Sequence, residues 1–160
     1  QSLGGNDAPV KLIGILLKHG TSSVFMKYFG LEAEEKGEGT AKTIDYWKAD
    51  GAKEMTASAK GVDGNQPACA AVITDTDAIA FASIGFAQSL ADKGAPIRLL
   101  KLDGVEPRSE NVVSGDYELS RPLQVITKGE ASGLAKAFIE HLLSTEGQKI
   151  VKDKAYIPVR

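Results

Sequence analysis

Eight residues, Val10-Lys-Leu-Ile-Gly-Ile-Leu-Leu17, constrain the fold more than any other stretch. Lys11 and Gly14 alone interrupt them, and an unbroken apolar run of strand length is what a strand covered on both faces requires. Lys18-His19-Gly20-Thr21 then turns the chain. Thr21 is the expected N-cap of a helix that carries Phe25, Tyr28 and Phe29 on one face and stops at Gly30. The order is strand, Gly-Thr turn, helix.

The rest of the chain repeats this alternation. Leu31 to Lys60 is rich in Glu32, Glu34, Glu35, Lys36 and Glu38 and is broken by Gly37, Gly39 and Gly51, which reads as a solvated loop or helix surface. Tyr46 and Trp47 stand there without companion aromatics, as packing residues do. After a turn at Gly61 to Asn65, Pro67 suits the first turn of a helix to about Thr74. Ala78 to Ser83 reads as a strand, Gln88 to Gly94 as a helical segment and Ile97 to Leu102 as a strand. Pro122 introduces the β-branched run Leu123 to Thr127, a further expected strand. Ser132 caps a helix with Leu134, Ala137, Phe138 and Leu142 on one stripe, and Thr145 with Gln148 forms a capping box for a second. Alternation of this kind predicts an α/β fold, a mixed sheet with helices on both faces.

Composition excludes several functions. Nineteen basic and twenty-one acidic side chains give a net charge of −2, so no basic field attracts nucleic acid. The single cysteine, Cys69, rules out an internal disulfide and a multi-cysteine zinc site, and its alanine neighbours suit a small buried residue. No stretch of about 18 apolar residues exists to span a membrane. The opening residues carry no signal-peptide pattern, as a trimmed product also would not, so composition leaves the compartment open.

The turn His19-Gly-Thr-Ser-Ser23 is the candidate site, with Lys18 beside it. A helix N-terminus offers N–H groups and the positive end of a dipole, Gly20 permits close approach, and the Thr21 and Ser22 hydroxyls add neutral donors. An oxyanion is the ligand such donors suit; an ordinary N-cap is the alternative. P-loop, nucleophile-elbow and His-Glu-x-x-His motifs are all missing. His141, with no ligand-type residue one turn away on its own face, reads as a helix-surface residue. No catalytic residue, metal or cofactor is expected.

The residues Leu102-Asp-Gly-Val-Glu-Pro-Arg-Ser-Glu-Asn-Val-Val-Ser-Gly-Asp-Tyr-Glu-Leu-Ser-Arg-Pro-Leu123, then Thr127 to Ile139 and Leu143 to Val151, resemble the C-terminal portion of the phosphate-binding proteins of ABC transporters. Asp77 to Ala87 and Gly4 to Val10 are similar to further segments of that family. The resemblance implies one lobe of a periplasmic-binding-protein-like fold, with residues 1–118 as a second-lobe-like domain and 119–160 as a segment returning to the first lobe. It also implies phosphate or a similar oxyanion as ligand, transporter membrane subunits as partners and a periplasmic or extracytoplasmic location. In the family an Arg and then Ser-Gly-Thr ligate the anion; Gly20 and Thr21 match the last two, His19 stands in place of Ser, and Ile15 stands where the Arg falls. Weak binding is therefore expected, with a ligand-independent interaction or sensor domain as the alternative. The apolar stripe of the Ser132 helix needs cover, and a homodimer is expected to provide it.

Overall fold

The computed structural model describes residues 7–50, 55–154 and 156–159, setting aside the side chains of Met55 and Thr56. Most of the opening loop, including part of the Gly4 to Val10 similarity, and Gly51 lie outside the described residues. The chain divides into two compact units, Gln1–Leu99 and Leu100–Arg160.

The first unit is built on the expected apolar strand. β1, Lys11–Ile15, lies inside a five-stranded sheet and buries Ile13, Gly14 and Ile15. Gly30 ends the following helix, α1, Gly20–Phe29, with left-handed backbone (φ 60°, ψ 44°) that glycine adopts without strain. The next three elements overturn the expected loop. β2, Leu31–Lys36, β3, Thr43–Lys48, and β4, Met55–Val62, form an antiparallel meander. In β2 the half-buried residues Leu31, Ala33 and Glu35 alternate with exposed Glu32, Glu34 and Lys36. Glutamates carry a weak strand signal, and six paired positions against β3 override it.

α2, Asn65–Thr74, β5, Ala78–Ala80, and α3, Ile84–Asp92, complete the unit. The sheet order is β2-β3-β4-β1-β5, with β1 parallel to both its neighbours, so the sheet is mixed. Each face has its own core. Leu16, Ile44, Tyr46 and Ala59 pack on one side against Met26 of α1. Ile13 and Ile15 pack on the other against Ala68 and Ala71 of α2. Helices therefore cover both faces, as the unbroken apolar run of β1 demands. Full burial of Ile15 and Ile44 contributes about 1.5 to 3 kcal/mol each. Cys69 is buried as expected, and burial raises its thiol pKa.

The second unit contains α4, Ser109–Ser114, α5, Gly133–Leu142, and α6, Thr145–Asp153. Two expected strands are not formed. Ile97 to Leu102 makes a single bridge, Leu102 with Val105, and Leu123 to Thr127 pairs with no strand among the described residues. A β-branched run adopts strand geometry only where another strand pairs with its amides. The capping box also shifts by one residue. Ser144 is the N-cap of α6 and accepts from the Gly147 N–H at 3.1 Å, while Gln148 donates to the Leu142 carbonyl and accepts from the Val159 N–H. Ser132 caps α5 by position, without a side-chain bond. No helix among the described residues is long and apolar enough to cross a membrane.

Candidate anion-binding site

Three parallel strands, β4, β1 and β5, lie side by side, and each runs into a helix. Their carboxyl ends bring three helix N-termini to one edge of the sheet: α1 with N-cap His19, α2 with N-cap Gly64 and α3 with N-cap Ser83. The crevice outside the carboxyl ends of strands is where open α/β sheets bind ligands. None of the three caps is closed by its own side chain. The Asn65 side chain links two of these ends, its Oδ1 accepting from the Ser83 N–H at 2.9 Å.

Helix α1 starts two residues earlier than expected, because His19 rather than Thr21 takes the extended N-cap conformation (φ −92°, ψ 137°). Gly20 and Thr21 thereby become its first two residues. Their N–H groups meet no protein acceptor among the described residues, whereas those of Ser22 and Ser23 donate to the His19 carbonyl. This is the usual inventory of orphan donors at a helix start. The Ser22 side chain is not part of it. Its hydroxyl is wholly buried and donates to the Ile15 carbonyl at 2.6 Å and the Leu16 carbonyl at 3.1 Å, locking helix to strand.

Lys18 and His19 both face Asp63, the residue after β4. Lys18 Nζ donates to Asp63 Oδ2 at 2.8 Å, and His19 Nε2 lies 2.6 Å from Oδ1. The Lys18 bond first, and the His19 contact second, hold the Asp63 carboxyl below the usual carboxylate range. A short distance away Glu35 accepts from the Leu17 N–H at 2.6 Å and from Lys42 Nζ at 3.0 Å. The turn is thus framed by two carboxylates that sequence reasoning left out. Asp63 sits in Val62-Asp-Gly64, between a strand and a helix, and that setting was its only local signal.

A histidine bonded to an aspartate is two-thirds of a nucleophilic triad, but the third member is lacking. The nearby Ser22 hydroxyl is turned into the core and bonded to backbone carbonyls, so it is not a nucleophile that His19 activates. No group of three or more metal-ligating side chains occurs among the described residues. His141 lies exposed on α5, as expected. Ile15, at the position where the resembled family carries Arg, points into the core with no exposure, so an arginine there would meet Ala68 rather than a ligand.

The profile of the PBP superfamily domain matches residues 1–146. The chain belongs to the PBP superfamily. Its PBP relatives include the phosphate-binding protein PstS of Bacillus subtilis (strain 168), 32% identical over 160 residues, which are 99% of this chain and 45% of that one. The phosphate-binding protein PstS 2 of Streptococcus agalactiae is 30% identical over 142 residues, 88% of this chain and 42% of its own length. Among solved structures, a substrate-binding protein of Clostridium perfringens with bound phosphate superposes with a TM-score of 0.70 at 29% identity, over 99% of this chain and 56% of that one. A phosphate-binding protein of Streptococcus pneumoniae shares the fold, with a TM-score of 0.69 at 24% identity. The resemblance read from the residues is borne out. This PBP domain spans about half the length of the relatives it matches.

Proposed function

We propose that this chain is the oxyanion-binding lobe of an extracytoplasmic solute-binding protein, that its ligand is phosphate or a close analogue, and that it serves the membrane subunits of an ABC transporter. The observation that carries the reading is the pair of Gly20 and Thr21 N–H groups at the convergence of three helix N-termini, in a chain whose relatives are named for phosphate. No chemical step is required of such a module. The Gly20 and Thr21 N–H groups form the cradle, with Lys18 and His19 alongside, while the Ser22 N–H is taken by the His19 carbonyl. Residues 1–118 act as the lobe and 119–160 as the segment that returns to complete its counterpart.

Binding by this lobe is weak, because a two-lobed protein encloses its ligand from both sides and one lobe offers a single side. Thermal unfolding in millimolar phosphate, sulfate and molybdate tests the reading. An anion at about 100 times its dissociation constant adds about 2.7 kcal/mol of stability. A response to phosphate supports the proposal; indifference to all three anions favours a ligand-independent interaction or sensor domain.

The second unit exposes Leu123, Ile126, Leu134 and Phe138. The homodimer expected from the sequence would cover some of this surface. The relatives' greater length favours a complementary PBP lobe as the occupant, in the same polypeptide or in another.

A further inference from the structure

Asp63 has no place in the cradle, yet it touches both of its basic side chains. One carboxylate oxygen is engaged by Lys18 and the other by His19, and the imidazole lies beside Gly64, where an added Cβ would stand 3.6 Å from its Cε1. Lys18 and Asp63 are each about 60% exposed. Ion pairs open to water are held weakly and exchange partners readily, in contrast to buried ones. A second anion brought to the Gly20 and Thr21 N–H groups would therefore meet basic residues already occupied by an anion of the chain itself.

We infer that Asp63 is a resident counter-anion, which competes with an incoming oxyanion for Lys18 and His19 and thereby sets the affinity of the turn. The inference rests on the phosphate reading and adds a regulating residue to it. Like charges facing each other across a site oppose binding, and removing one of them strengthens the partner's hold on the remaining cations. The exchange also accounts for how a turn with two basic side chains releases its anion: the departing ligand is replaced by Asp63, so neither side chain is left without a partner.

Titration with inorganic phosphate, followed through the amide resonances of Gly20 and Thr21, tests the inference in the whole chain. Asp63→Asn keeps the shape and an acceptor oxygen but removes the charge, and it is expected to tighten phosphate binding roughly three- to tenfold. In a Lys18→Gln, His19→Gln background the same substitution is expected to give a smaller gain, because there is little left to compete for. Unchanged or weaker binding by the Asp63→Asn variant, alongside measurable binding by the unaltered chain, overturns the role of Asp63 and leaves the phosphate reading intact. An equal gain in both backgrounds overturns competition in favour of simple repulsion. Amides that stay still in every variant overturn the phosphate reading and this inference together.

Discussion

Tyr46 buries its hydroxyl without a hydrogen-bond partner among the described residues, and burial raises its pKa to about 12. The ring lies under β1 where Gly14 leaves room: a Cβ at Gly14 would stand 2.6 Å from the phenol oxygen. Two substitutions follow from this contact. Tyr46→Phe removes a desolvated polar atom and should leave stability unchanged or raise it by about 1 kcal/mol, while Gly14→Ala should lower it by about 1 to 3 kcal/mol. Urea unfolding of the double variant should recover much of the Gly14→Ala loss; if the two effects simply add, the hydroxyl is not what limits the space. Glu35 is a second residue with a defined energetic role. Its pKa is lowered, first by Lys42 and then by the Leu17 N–H. A carboxylate with a depressed folded-state pKa stabilises above its unfolded value, about 4.3, and that stability is lost as the pH falls through the folded-state value. Glu35→Gln should therefore flatten the acid limb of a stability profile below about pH 4.3, and an unaltered limb would mean that neither Lys42 nor the Leu17 N–H favours the ionised carboxylate. Lys18, His19, Gly20 and Thr21 were legible because they are consecutive. Asp63 and Asn65 were not, because only the parallel pairing of β4 with β1 brings them to the same edge.

Elements whose partners are close in sequence, or whose faces are wholly apolar, were the ones the residues announced. β1, α1 and α2 emerged within a few residues of their expected bounds, since an apolar run, a glycine stop and a first-turn proline act locally. β2 went unseen because its outward glutamates mask a period of two, and its reality depends on β3. Leu123 to Thr127 failed in the opposite sense, carrying strand residues with no strand beside them among the described residues. Helix ends obey closer rules. At α6 the Ser144 hydroxyl accepts from Gly147 and donates to the His141 carbonyl at 2.6 Å, joining the end of α5 to the start of α6. Ser144→Ala should cost about 1 kcal/mol, the usual worth of such a cap, whereas Thr145→Ala should cost little. Hydrogen exchange of the α6 amides distinguishes them; lower protection in Thr145→Ala than in Ser144→Ala would return the cap to Thr145.

At the scale of the molecule, the two units differ in how they treat apolar surface. The sheet of the first has a core on each face, but in the second Leu134 is 91% and Ile126 87% exposed, with Leu123, Val125 and Phe138 also open. Burying each of these large side chains is worth roughly 1.5 to 3 kcal/mol, so a surface carrying several of them gains by association. The chain covers only 45% of the Bacillus subtilis relative and 56% of the Clostridium perfringens structure, so a comparable length of each lies outside the match, and the proposed cover is sought there. A polypeptide made from the part of the Bacillus subtilis protein that this chain does not match is therefore expected to bind it and to protect the α5 amides from exchange. Leu134→Lys with Phe138→Lys should abolish that binding without unfolding α5, since neither side chain supports the helix from within. Sedimentation equilibrium of the chain by itself supplies the counter-test: a dimer at micromolar concentration that dissociates in the lysine variant would identify a second copy as the occupant and displace the complementary lobe.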